Sequence, residues 1–149
     1  MKLEWGLTAG NAEGEVDRLL AVSRKAEGGL PLTEAQARAV AQAHSEALRR
    51  TGRIEFGKSA AEKLVEIFAG SPWLTREEQG QQLAELAALF YDCRAELPDS
   101  LPDGWLLEQM RRAFDGPCWG CMELMNDCFL LQLPRHLRQG GRPEDFGWR

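Results

Sequence analysis

The stretch TREEQGQQLAELAALFYDCR, residues 75–94, decides the fold class of this chain. Its apolar side chains recur every three or four residues, the spacing that places them on one face of an α-helix. Thr75 and Glu78 have the spacing of a capping box, in which the two side chains bond reciprocally to backbone N–H groups of the first turn. The pattern predicts the longest helix of the chain, ending near Leu97 and Pro98.

Helices are also predicted on both sides of this stretch. Capping boxes at Thr33/Gln36 and Ser59/Glu62 mark two further helix starts, and Gly52 suits the left-handed residue that ends the first of these helices. The remaining helices are predicted at residues 13–26, from Ser100 onward, and at about 118–139, where Pro134 should kink or end the last one. The fold class is therefore all-α, a compact irregular bundle of five to six helices.

The length of 149 residues predicts a single helical domain over 1–149, with irregular segments at 1–12 and 140–149. Apolar residues make up 44% of the chain and charged residues 28%, which is typical of a globular protein. The net charge of −5 argues against a nucleic-acid binder or a protein of anionic membranes, both of which usually carry a basic excess.

The sequence also favours a cytoplasmic protein. No apolar stretch approaches the roughly 20 residues that cross a bilayer. The first residues, MKLEWG, lack the apolar region of a signal peptide. The four cysteines are then expected to be reduced thiols rather than a disulfide framework.

The segment RIEFG, residues 53–57, alternates charged and apolar residues and is predicted to be a short extended connector. Five residues cannot form an independent sheet, so Ile54 and Phe56 are expected to plug the core. Arg53 and Glu55 have two interpretations. They pair with neighbouring helices, which is the favoured one, or they line a ligand groove.

Two further interpretations concern the interior. His44 lies on the inner side of its helix and is expected to be a hydrogen-bonded core or boundary residue. A small-molecule enzyme would use Arg53, Glu55 and Tyr91 in a pocket between helices. The chain has no nucleophile elbow, no phosphate-binding loop and no dinucleotide fingerprint. A catalytic role is therefore not favoured, and we expect no cofactor.

Three cysteines form the strongest chemical pattern. Cys118 and Cys121 make a C-x-x-C at a helix start, and Cys128 and His136 complete a possible tetrahedral zinc set. The spacing matches no familiar zinc finger, and thiols interleaved with leucine and methionine usually pack as small apolar groups. Buried structural thiols are therefore favoured over a zinc- or thiol-dependent site.

Aromatic residues near helix ends suggest an interaction surface. Trp73, Trp105 and Trp148 could anchor a protein partner or a second copy of the chain, or they could close the protein's own core. Phe146 and Trp148 could dock the tail. A non-catalytic interaction or regulatory domain is the favoured function.

Four segments carry a resemblance: RIEFG (53–57), SPWL (71–74), FY (90–91), and FDG with the following C-x-G (114–120). Together they resemble a family of small uncharacterised bacterial proteins, over about residues 32–130. The resemblance implies a bacterial, intracellular, helical protein and brings no activity, substrate or cofactor. Cys121 departs from the family's pattern, which further weakens the metal and dithiol interpretations.

Overall fold

The computed structural model describes residues 2–26 and 28–146, with side chains from residue 13 onward. Throughout these residues the regular secondary structure is helical, so the predicted all-α bundle is confirmed. The helices, in chain order, are α1 (Lys2–Lys25), α2 (Glu34–Thr51), α3 (Ala60–Phe68), α4 (Gln79–Arg94), α5 (Asp103–Asp115), α6 (Met122–Met125) and α7 (Gln132–Arg138), with a π-helical turn at Asn126–Leu130 and a 3-10 turn at Pro143–Asp145. Each helix in this part of the chain is too short or too polar to span a bilayer.

The predicted capping boxes set the starts of α2 and α3. In both, the cap side chain and the side chain three residues later exchange hydrogen bonds with the backbone, at Thr33/Gln36 and at Ser59/Glu62. Gly52 ends α2 with φ +70°, as predicted.

The sequence predicts that the helix now called α4 is capped at Thr75, but the helix begins later in the chain. Thr75 Oγ1 accepts from the Glu78 backbone, but α4 begins at Gln79 after a turn. The reciprocal bond is replaced because the Thr75 N–H donates to Gln82 Oε1 at 3.3 Å. This helix is also shorter than α1 and α2 and is therefore not the longest.

The prediction of an irregular segment at 1–12 is wrong from Lys2 onward, since α1 begins at that residue. Helix formation is cooperative, so a helix nucleated in the 13–25 region can extend through earlier glycines at a cost of about 1 kcal/mol each. The predicted tail anchor Phe146 packs on Phe129 with ring centroids 5.3 Å apart. Trp148 lies outside the described residues.

The predicted last helix is interrupted by the π-helical turn. Pro134 has no N–H to offer the Leu130 carbonyl one turn earlier. That carbonyl instead accepts a hydrogen bond from the Cys93 thiol of α4 at 3.5 Å. Burial raises the pKa of Cys93 to about 12, so the thiol keeps the proton that it donates. The helical region therefore continues past Pro134, which lies inside α7 after the π-helical turn.

The core forms mainly where α2 packs against α4, with α3 on α5 and α1 across α2 and α3. Its largest fully buried side chains are aromatic or aliphatic, and include Phe68, Phe90, Phe114 and Phe129. Phe68 meets Phe114 edge to face, with centroids 5.7 Å apart. This arrangement brings the end of α2, the connector and the end of α4 together at one site.

At Gly80, α4 lies directly against α2. A Cβ there would lie 2.6 Å from Gln36 Cγ and 3.0 Å from its Cα. We predict that Gly80→Ala lowers the free energy of unfolding by about 1–3 kcal/mol through overpacking, despite alanine's better helix propensity. Gly104→Ala is the matched control, because Gly104 is also the second residue of its helix and a Cβ there meets nothing within 4 Å. Equal effects of the two substitutions in urea denaturation would contradict this packing.

Candidate functional site

In the connector between α2 and α3, the side chains point in the directions opposite to those predicted. Residues 53–56 are non-helical, as expected, but Ile54 and Phe56 are 76% and 88% exposed, whereas the side chains of Glu55 and Arg53 are only 8% and 26% exposed. The prediction that the two apolar residues plug the core is therefore wrong. Successive side chains of an extended segment point to opposite sides. The charged pair faces inward because it completes ion pairs with the surrounding helices.

His44 lies at the centre of the inward-facing site. Its Nδ1 is 2.6 Å from Glu15 Oε1 of α1, and its Nε2 is 2.7 Å from Glu55 Oε1. Burial alone lowers the pKa of His44, but the hydrogen bonds and charges of the two glutamates outweigh it and raise this pKa to about 9. Both ring nitrogens therefore donate, and the imidazole is a buried cation at neutral pH. The prediction of a hydrogen-bonded core histidine is confirmed.

Glu55 accepts from several donors at once. Its Oε2 accepts from the Tyr91 hydroxyl at 2.8 Å, from Arg53 Nε at 3.0 Å and from the Ala60 backbone N–H at 3.4 Å. Burial alone raises the pKa of Glu55, but His44, Tyr91 and Arg53 outweigh it and lower the pKa. Burial and the nearby Glu55 raise the pKa of Tyr91, so its hydroxyl stays protonated and donates.

The ion pairs continue from Arg53 to the far end of α4. Arg53 Nη2 donates to Asp103 Oδ2 at 2.5 Å, and Arg94 Nε donates to Asp103 Oδ1 at 2.8 Å. We call the resulting series of alternating charges the ion network; its members are Glu15, His44, Glu55, Arg53, Asp103 and Arg94. Its three carboxylates and three cations balance, so the network can be buried without a net charge.

The raised pKa of His44 makes stability depend on pH. A group whose pKa is raised on folding stabilises the folded state. Its contribution is complete below the pKa of the unfolded chain, here 6.5, and is lost as the pH rises through the folded-state pKa of about 9. We predict that the free energy of unfolding is about 3 kcal/mol lower at pH 9.5 than at pH 6. His44→Gln, which cannot titrate, should flatten this dependence in urea denaturation series at constant ionic strength. A wild-type stability that is flat across this range would contradict the buried imidazolium.

Three of the four predicted contact residues meet in this site, and Trp73 does not. Arg53, Glu55 and Tyr91 contact one another, and a surface cleft runs beside Arg53, Tyr91 and Arg94. Their polar groups already have partners inside the protein, so a substrate in the cleft would have to compete with these bonds. The geometry therefore favours a structural role, holding the connector against the helices, over acid–base catalysis.

Trp73 lies at a separate surface, 41% exposed, with its indole N–H donating to the Asp115 carbonyl at 3.3 Å. Its ring packs on Gly120, where a Cβ would lie 2.7 Å from Trp73 Cβ. Trp105, the second predicted anchor, is half-buried against the core. The indole of Trp73 therefore serves partly to cover the loop between α5 and α6.

Sequence reasoning missed Trp119, which is 71% exposed and has a left-handed backbone with φ +49°. A bulky side chain in this conformation is strained by about 1–2 kcal/mol. The only signal in the sequence is its position between Cys118 and Gly120, inside the C-x-x-C.

The cysteines of the C-x-x-C pattern do not share one environment. Cys118 is buried, and burial raises its pKa to about 11, with smaller contributions from Cys128 and Cys121. Cys121 and Cys128 are exposed, so the expectation of three buried thiols holds for Cys118 alone. Met125 is buried whereas Cys128 is exposed, and the π-helical turn at Asn126–Leu130 changes the helical period between them.

His136 is not positioned with the thiols as a fourth ligand. Its Nε2 donates to the Arg142 carbonyl at 2.8 Å, and its ring lies 5.2 Å from that of Phe146. Across the part of the chain with described side chains, no three or more histidine, cysteine or acidic residues are grouped so that they could hold a metal ion. The residues of the zinc interpretation are thus spread over separate contacts.

A family model described as a family of unknown function, DUF6323, matches residues 19–143. The match contains the connector, the cysteine pattern and every residue of the ion network except Glu15. It also extends beyond residues 32–130, the region that the resemblance covers. No curated protein and no solved structure matches the chain. The chain therefore belongs to DUF6323, a family of unknown function.

Proposed function

We propose that residues 1–149 form a single non-catalytic interaction domain, which binds an extended apolar peptide segment of a protein partner along the connector. The exposure of Ile54 and Phe56 on a short non-helical segment is the observation that carries this proposal. Large apolar side chains exposed side by side often indicate a binding surface.

The ion network supports this role because it holds the connector from beneath. Arg53 and Glu55 alternate with the two apolar residues and are tied to three helices through His44, Tyr91 and Asp103. A segment that is already ordered loses little conformational entropy when a partner binds. Ile54 and Phe56 are therefore presented in a fixed arrangement.

The backbone of the connector favours an extended partner. Among the described residues, the N–H and C=O groups of Ile54 and Phe56 have no hydrogen-bond partner. A peptide can add to such a free edge as a β-strand, using main-chain bonds for affinity and side-chain pockets for specificity.

The size of the surface favours a peptide over a second copy of the chain. Two apolar side chains offer roughly 300 Å² of contact area. A stable interface between folded proteins usually buries about 800 Å² on each partner. The connector alone therefore suits a short segment, and a homodimer would need further surface.

The thiols fit a place in the bacterial cytoplasm, which we include in the proposal. Each described cysteine is free, and burial raises the pKa values of Cys93 and Cys118, which favours inert thiols in a reducing compartment. We propose that the domain works without a cofactor, since Arg53, Glu55 and Tyr91 are used in pairing one another.

Panning a display library of random heptapeptides on the immobilised protein tests the proposal. Wild type and Trp119→Ser, which changes an exposed aromatic residue elsewhere, should enrich peptides with alternating apolar residues. The double variant Ile54→Ser/Phe56→Ser should reduce binding of these peptides at least tenfold, without a change in fold because both side chains are exposed. Hydrogen exchange of the Ile54 and Phe56 amides should slow on binding.

Three results would overturn the proposal. The first is no enrichment over the bare support, and the second is equal peptide binding by the double variant. The third is a dimer in native mass spectrometry that the double variant dissociates, which would assign the connector to a second copy of the chain.

A further inference from the structure

A cavity of about 70 Å³ lies beneath the loop that follows α1. Its walls are formed by that loop, by the end of α3 and by the first turns of α4, with Leu32, Val65, Leu74 and Leu83 as apolar lining. The space is several times that needed for one water molecule. No charged side chain is among its lining residues.

Glycines bring the loop close to α3. Gly28 and Gly70 both have left-handed backbones, and a Cβ on Gly28 would lie 3.8 Å from Gly70 Cα. A Cβ on Gly29 would lie 2.9 Å from Ala69 Cβ, so a side chain there would displace the loop. The backbone itself therefore forms one side of the cavity.

The polar group of interest in the cavity is the Gln79 side chain, which is only 3% exposed. Its Nε2 uses both hydrogens, donating to the Pro31 carbonyl and to Gln36 Oε1, each at 3.2 Å. Its Oε1 accepts no hydrogen bond from any described residue. A buried carbonyl oxygen without a donor is unfavourable, so a bound molecule that supplies an N–H or O–H would stabilise it.

We propose that this cavity is a binding site for a small neutral molecule with a compact apolar body and one hydrogen-bond donor group, such as the NH₂ of a primary amide or the hydroxyl of an alcohol. The apolar walls hold the body, and Gln79 Oε1 accepts from the donor. The absence of charged lining residues excludes an ionised ligand, because its charge would be desolvated without a partner. None of the residues that line the cavity belongs to the connector.

Propionamide and butan-2-one form a matched pair of probes, with the same shape and heavy-atom count but a donor only on the amide. Titration of the ¹⁵N-labelled full chain should show saturable shifts around Leu32, Gly70 and the Gln79 side chain. We expect propionamide to bind with a Kd of order 1 mM, and butan-2-one at least fivefold more weakly. Equal affinities, or shifts that do not saturate, would overturn the proposal, and this comparison needs no substitution.

Variants then locate the site. Gln79→Leu removes the acceptor and Leu83→Phe fills the cavity, and each should weaken propionamide binding at least tenfold. Gln81→Leu, on the exposed side of the same helix, should bind as wild type does. Unchanged binding by a folded Gln79→Leu protein would reject the assigned acceptor. If Gln79→Leu fails to fold, the Leu83→Phe variant tests the location of the site. Unchanged propionamide binding by Leu83→Phe would show that the ligand does not occupy the cavity.

Discussion

Replacing Glu55 by glutamine should lower the free energy of unfolding by about 3–5 kcal/mol, the range for breaking a buried ion pair. The change keeps the size of the side chain but removes its charge. It leaves the buried cation of His44 and the Arg53 guanidinium without their shared carboxylate, and it disturbs the Tyr91 hydroxyl. Urea denaturation at pH 7 with a two-state fit measures the loss.

Glu66→Gln provides the matched control for this substitution. Glu66 pairs with Lys58 at the surface, where both side chains are more than 40% exposed. Solvent screening limits such a pair to about 1 kcal/mol or less. If Glu55→Gln cost no more than Glu66→Gln, Glu55 would not be the buried centre of the ion network.

Arg94→Met should have an effect of similar size, again about 3–5 kcal/mol, because it removes one of the two cations paired with the Asp103 carboxylate and leaves several buried carbonyls unpaired. The guanidinium is buried at the end of α4 and donates to Asp103 Oδ1 at 2.8 Å. It also donates to four backbone carbonyls after the helix, at Leu97, Pro98, Asp99 and Leu101. Methionine fills the space but supplies no donor.

Arg112→Met on the exposed side of α5 is the control, and it should change stability by no more than about 0.5 kcal/mol. Arg94→Lys should recover only part of the loss, since an ammonium cannot reproduce the planar fork of donors. Full recovery by lysine would show that charge alone, and not the set of carbonyl contacts, holds the loop between α4 and α5.

Local sequence patterns predicted the helices well because their determinants lie close together in the chain. Each of these signals depends on residues within one helical turn: the capping boxes at Thr33 and Ser59, and the glycine that ends α2 at Gly52. The prediction at Thr75 lay too early because Gln82, seven residues on, took the bond that Glu78 was expected to make.

The face of the connector could not be predicted in the same way. Alternation in residues 53–57 shows that two sets of side chains point apart, but hydrophobicity alone assigns the apolar set to the core. The opposite arrangement depends on His44, Tyr91 and Asp103, which come from three different helices. Their pairing with the connector is a tertiary effect and overrides the local pattern.

Sequence reasoning did select part of the site. Arg53, Glu55 and Tyr91 were named as candidates, and the structure brings them into direct contact. Nothing in the sequence indicates that Glu15 and Arg94 belong to the site, since a single charged residue on a helix usually faces solvent. The cavity beside Gln79 was equally hidden, because it depends on how the loop after α1 lies over α3.

The protonation state of His44 tests the central claim, that a buried network of balanced charges fixes the connector, most directly. NMR titration of ¹³C-labelled histidine, assigned with His136→Gln, follows its imidazole from pH 5 to 10.5. The His44 signals should stay constant up to about pH 7.5 and then shift with a midpoint near 9. A midpoint at or below the ordinary value of 6.5 would contradict the network, since a neutral imidazole cannot donate to both Glu15 and Glu55.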